Sequence, residues 1–218
     1  FKQILHEGQY LAESLEKGSA IRGLHTLNRM LKILKTMVSQ VDVIETMTPL
    51  SFSQFRSYLK SSSGFQSLQF RKFEIFMGKR AEGVLKQLPR EEVEKSGIMD
   101  ELGKPSLYDY LLRLIKDRGY KVPDEVLSRD FREQYKGNPQ VQTILLEIYK
   151  QGGELALLCE SFVDMDEGIQ EWRYRHVKMV ERTIGHQAGT GGSPGVEYLK
   201  STLFHSMFPD LWAVRTGF

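Results

Sequence analysis

The chain is poor in several things, and each shortage removes a class of protein. One cysteine, Cys159, stands among 218 residues, so an internal disulfide and a cysteine-built metal site are both excluded. The setting this predicts is the reducing cytoplasm. Charge of one sign is missing too. With 30 Lys+Arg against 28 Asp+Glu the net charge is +2, which offers no electrostatic case for nucleic acid as a partner. No apolar run approaches the roughly 20 residues a membrane-spanning helix needs, so no membrane is implied. Strand-like alternation with hairpin turns is absent, as is any internal repeat. An apolar share of 40% with 27% charged residues suits a globular protein with a core and argues against disorder. The first residue is Phe1, and neither a charged leader nor a cleavage pattern follows it. FKQILHE reads as the middle of an amphipathic helix without a cap, so the expectation is a piece of a longer chain.

What is present is helical periodicity. Between residues 20 and 46, Leu24, Leu27, Leu31, Leu34, Val38, Val41 and Ile44 recur at spacings of three and four, a seam for packing along other helices. Thr48 caps and Pro49 opens a short helix with Phe52, Phe55 and Leu59. Residues 61–64 interrupt the pattern, which resumes from Phe65 to Gly78. Residues 79–105 read as connections with one short helix. Ser106 starts a helix whose inward face is Leu107, Tyr110, Leu111, Leu114 and Ile115, stopped by Gly119 and Pro123. Shorter patterns follow at 124–135 and 141–150. A long helix then runs from Glu154 to Ile184, with a bend allowed near Asp164–Gly168, and ends at Gly185. A glycine-rich loop, 188–195, leads to a last helix with Val196, Leu199 and Leu203. The fold class expected is all-α, in one domain over 1–218. Gly8, inside the first helix, costs about 1 kcal/mol relative to alanine and has no functional explanation in the sequence.

Five histidines, His6, His25, His176, His186 and His205, are the natural carriers of metal chemistry in such a chain. They form no H-E-x-x-H pair and no recurring Glu-x-x-His set. His176 lies four residues after Trp172 and four before Val180, on the apolar face of the long helix, where one imidazole suits a haem iron; a core histidine bonded to a carbonyl is the plainer alternative. The glycine loop lacks the Lys-Ser/Thr of a phosphate cradle and follows a helix. It is either a connector or a loop whose backbone and Thr190 hydroxyl approach a ligand closely. Phe52 and Arg56, one turn apart, put an aromatic ring and a guanidinium fork on one face, a pairing that suits a small aromatic ligand with a carboxylate; a snorkelling surface arginine is the alternative.

Several segments together are more specific. Glu45–Leu50, Phe55-Arg56, Ser63–Arg71, Trp172–Val177, Glu181-Arg182, Gly185 and Gly189–Gly192, in this order and spacing, closely resemble the tryptophan 2,3-dioxygenase family, and FKQILHE resembles the end of that family's E-L-W-F-K-Q-I-L segment. The resemblance runs from Phe1 to the 212–216 stretch and is weakest across 79–150. It implies an all-α helical bundle of the tryptophan/indoleamine 2,3-dioxygenase type, a cytoplasmic homotetramer using ferrous haem b. The implied reaction adds both atoms of O2 across the indole C2–C3 bond of L-tryptophan to give N-formyl-L-kynurenine, opening the kynurenine pathway of tryptophan catabolism. By the same likeness His176 is the axial ligand of the haem iron, Ser63 and Gly64 lie at the haem edge, and Phe52, Arg56 and Thr190 hold the substrate. No catalytic residue is identified in this chain, because the family's distal histidine lies upstream of Phe1, within an N-terminal segment expected to be missing. Two other functions stay open at this point: a haem enzyme that adds one oxygen to an indole, and a non-catalytic helical binding module.

Overall fold

The computed structural model describes residues 1–59, 67–80, 82–85, 88–187 and 195–218, and every regular element in them is helical. The all-α expectation holds there. Contacts divide the chain into two compact units: Phe1–Leu31, Leu68–Asp166 and Ser206–Phe218 form the first, Lys32–Ser67 and Glu167–His205 the second.

In the first unit α1 (Lys2–Glu16) buries Ile4, Leu11 and Leu15 completely, the stripe its spacing predicts. Gly8 now has a physical reason. A Cβ there would come within 2.5 Å of Phe76 Cε1, so the glycine makes room for that ring against α1. The ring belongs to α4 (Leu68–Met77), whose Phe73 and Met77 are fully buried. The first part of α2 (Ala20–Ile44) adds Leu27 and Met30 to the same core.

Residues 79–105 depart from expectation. They hold three short helices, α5 (Glu82–Leu85), α6 (Arg90–Ser96) and α7 (Ile98–Leu102), where connections and one helix were expected. Each is too short to show a helical period, and burial of Val93, Ile98 and Leu102 fixes what periodicity cannot reveal.

The helix expected after Ser106 is α8 (Leu107–Asp117), begun by a capping box: Ser106 N–H donates to Asp109 Oδ2 at 2.7 Å, and Asp109 N–H to the serine hydroxyl. Leu107, Leu111, Leu114 and Ile115 are buried as expected. Tyr110 is only half-buried, while Tyr108 and Leu112 are buried instead. The helix packs against α1, α4 and α9 (Asp124–Leu127), so it is covered over more than one stripe.

α10 (Pro139–Gln151) starts at Asn138, whose side chain accepts from Gln140 and Val141 N–H groups. The expected long helix is α11 (Glu154–Ile184), and it runs unbroken through the acidic stretch. Asp166 is fully buried there, accepting from Met207 N–H at 2.8 Å, Phe208 N–H at 3.1 Å and Trp212 Nε1–H at 2.9 Å. These bonds seat α13 (Pro209–Ala213), a helix the periodicity had not revealed. Its Asp210, also fully buried, accepts from Tyr108, Tyr135, Asn138 N–H and Gln142. The four donors offset the cost of withdrawing a carboxylate from water.

The second unit takes the end of α2, then α3 (Pro49–Arg56), the second half of α11, and α12 (Val196–Ser201). Leu34, Val41, Ile169, Val177 and Val196 are its buried apolar residues. The seam of α2 stops short of its expected end, because Ile44 is 49% exposed. Arg173, buried on α11, donates to His205 O at 3.1 Å and so holds the stretch after α12.

Candidate functional site

The second unit brings together three pieces of chain that carry the candidate residues. The first is α3. Ser51 N–H donates to Thr48 Oγ1 at 3.1 Å, and Pro49 fills the first helical position, so the helix starts where the sequence placed it. Of its eight residues only Phe52 and Arg56 are withdrawn from solvent to half-burial; the other six are exposed. Phe55 is 36% exposed and meets Phe52 edge to face at 5.2 Å. The inward face of α3 is therefore the ring-and-guanidinium pair.

The second piece is the turn of α11 that carries His176. Of the five histidines this one is half-buried, whereas the other four are exposed. Its ring stacks on that of Trp172 at 5.2 Å with 5° between planes, as the spacing of four residues allows. Burial pushes the imidazole pKa down, which favours the neutral form that can ligate a metal. No hydrogen bond of this ring to another described residue is found. No group of three or more His, Cys, Asp or Glu side chains suited to a bare metal ion exists among the described residues. A single neutral imidazole without a cage fits a haem, whose porphyrin supplies the remaining nitrogens.

The third piece follows the end of α11. Gln187 accepts a hydrogen bond from the Arg56 guanidinium, joining the end of α3 to the residues that follow α11. The helix after the glycine loop is held by charge. Lys200 of α12 pairs with Glu181 at 3.1 Å, and Glu181 also pairs with Lys178 at 2.8 Å. These hydrogen bonds from Lys178 and Lys200 hold the Glu181 carboxyl down at about 2. Thr190, Ser63 and Gly64 lie outside the described residues.

Sequence reasoning quoted Glu45, Arg175 and Arg182 without giving them a task. Arg175 Nη2 lies 3.0 Å from Glu45 Oε2 and Arg182 Nη1 lies 3.3 Å from it, while Arg175 also pairs with Asp42. The spacing of seven between the two arginines, two helical turns on one face of α11, was the available signal. Gln187 carried none.

The second unit thus sets an inward aromatic-and-guanidinium helix face and a helix that bears one stacked, largely buried imidazole within one all-helical unit. The family model for tryptophan 2,3-dioxygenase matches residues 1–103 and 143–218. A tryptophan 2,3-dioxygenase of Anaeromyxobacter sp. strain K is 53% identical over 99% of this chain and 81% of its own length. That of Herpetosiphon aurantiacus is 49% identical over 99% and 82%, and that of Bacillus thuringiensis subsp. konkukian 37% over 99% and 78%. The chain belongs to the tryptophan 2,3-dioxygenase family. The family model leaves out residues 104–142, which hold α8 and α9, whereas all three candidate pieces fall inside the matched stretches.

Proposed function

We infer that this protein is a haem-dependent dioxygenase that cleaves the indole C2–C3 bond of L-tryptophan with O2, yielding N-formyl-L-kynurenine, the first step of tryptophan catabolism by the kynurenine route. Family membership supports the reaction. The observation that carries it to particular residues is the withdrawal of Phe52 and Arg56 alone from the solvent face of α3.

His176 would hold the iron of haem b through its imidazole, with Ser63 and Gly64 at the haem edge. The haem supplies the electronic chemistry that makes dioxygen reactive toward the indole. Arg56 offers the substrate carboxylate two parallel N–H donors, and to do so it exchanges Gln187 for the substrate. Phe52 packs the indole, and Thr190 receives the amino-acid end from the glycine loop. Both oxygen atoms enter the product, so no external reductant is consumed. The side chains thus orient the substrate and exclude water, which is where a protein gains most when the cofactor performs the bond chemistry. The assembly in this reading is a homotetramer acting in the cytoplasm. No described helix is long and apolar enough to cross a membrane.

The test is the visible spectrum of the anaerobically reduced protein before and after L-tryptophan, then after air, with product analysed by mass. A haem band that responds to tryptophan, with a product heavier by two oxygens, is the expected result. A gain of one oxygen would replace the dioxygenase with a mono-oxygenase. Absence of a haem band after reconstitution would leave a helical binding module. His176→Ala is expected to lose haem and turnover while keeping its helical circular dichroism.

A further inference from the structure

Glu45 occupies the joint between α2 and α3, and its side chain is only 14% exposed although one of its partners, Arg182, is 66% exposed. A surface ion pair made for solubility does not look like this. The carboxylate lies inward and draws two guanidinium groups, two turns apart on α11, to one oxygen. His176 lies between those two arginines in sequence, next to Arg175. Asp42, one turn earlier on α2, takes a second contact from Arg175, so that arginine is held from two positions.

The joint is short and closed. Thr46 N–H donates to Val43 O at 3.3 Å and Met47 N–H to Ile44 O at 3.1 Å, after which Thr48 caps α3. A displacement at Glu45 therefore passes through two hydrogen-bonded residues to the helix that carries Phe52 and Arg56. At its other end α3 is tied to the residues after α11 through Arg56 and Gln187. That second tie changes when Arg56 turns to a carboxylate, whereas the tie at Glu45 involves no residue that meets the substrate.

We propose that Glu45 is a positioning residue for tryptophan binding, setting the stance of α3 against the His176 turn of α11 through Arg175 and Arg182. The proposal rests on the dioxygenase reading of the same residues. It concerns neither ligation of iron nor contact with substrate, but how far the ring and guanidinium of α3 stand ready before the ligand arrives.

The experiment uses the haem-loaded full chain and titrates L-tryptophan against the visible spectrum, beside steady-state kinetics. Glu45→Gln is expected to keep its haem and to need about tenfold more tryptophan for half of the spectral change, the equivalent of one charge-assisted hydrogen bond. Its KM should rise more than its kcat falls. Glu45→Asp should recover part of that affinity, and Arg182→Gln, which removes only the exposed partner, should shift it in the same direction by a smaller factor. Tryptophan affinity equal to the parent's in Glu45→Gln and Arg182→Gln overturns the proposal. So does loss of haem, tryptophan response and melting temperature together in both variants, since Glu45 would then hold the fold alone. A parent protein that binds no haem or ignores tryptophan brings down the dioxygenase reading itself, and the proposal with it.

Discussion

At the scale of single residues the chemistry of this chain rests on a few side chains whose surroundings differ from those of their neighbours. Arg56 is one. It and Phe52 are half-buried on a helix whose other residues are exposed, and its guanidinium is already engaged by an amide oxygen, a neutral stand-in for a carboxylate. Hydrogen bonds to charged groups are worth about 1.5–3 kcal/mol, so Arg56→Ala should weaken tryptophan binding roughly 10- to 100-fold. Haem content should not change. An isothermal titration beside a haem assay checks both halves of that statement. Gly137 is the other residue with a clear outcome. Its φ of 96° is left-handed, and a Cβ there would lie 2.9 Å from Asp210 Oδ1, a carboxylate pinned by four donors. Gly137→Ala should destabilise the protein by at least the roughly 1–2 kcal/mol that a left-handed conformation costs an L-residue, read as a lower denaturation midpoint.

At the scale of elements, the helices are held by two kinds of device. Local caps start them: Thr48 for α3, Ser106 with Asp109 for α8, Asn138 for α10. Distant polar anchors then seat them. Asp166 is the plainest example, because three N–H groups from residues 207–212 converge on one oxygen of a fully buried carboxylate. Asp166→Ala would leave those donors without their acceptor, and each buried unsatisfied donor costs about 1–3 kcal/mol. The expected result is selective release of 206–218, seen as rapid amide exchange and proteolytic trimming there while α1 and α8 stay protected. Equal loss of protection throughout would show that α13 is not a separate docking step.

At the scale of the whole molecule, the ionisable groups set the pH range of the fold. Burial pushes the Cys159 thiol up to about 12, and raises Tyr108, Tyr135 and Tyr149 well above the usual phenol range. All four are acids held neutral when folded. The unfolded chain ionises them from about pH 9 upward, so stability is intact below that and falls as pH rises toward the folded values. Melting temperature should therefore decline steeply between pH 9 and pH 11. At neutral pH, Cys159 should resist a thiol reagent until the protein unfolds, so that labelling rate tracks unfolding. On the acid side, Glu181 is held down at about 2 by its lysines, and its contribution persists above the ordinary carboxylate range and is lost as pH falls through 2. That group is only half-buried, and salt should screen it.

The sequence alone determined what is local. Helical period, caps and glycine stops located α1, α2, α3, α8, α10, α11 and α12, because each signal lies within one or two turns of the element it marks. His176 on the buried side of α11 and the shared face of Phe52 and Arg56 were legible for the same reason. Tertiary structure decided the rest. The three short helices in 79–105 and α13 have too few turns to show a period, and only packing and the buried Asp166 and Asp210 carboxylates stabilise them. Glu45 meets Arg175 and Arg182 across 130 and 137 residues, and no spacing rule spans such a gap. Gly8 looked like a defect until the ring of Phe76 was found against it. The residues that can perform chemistry are thus written in short-range pattern, and their support in contacts that exist only once the chain has folded.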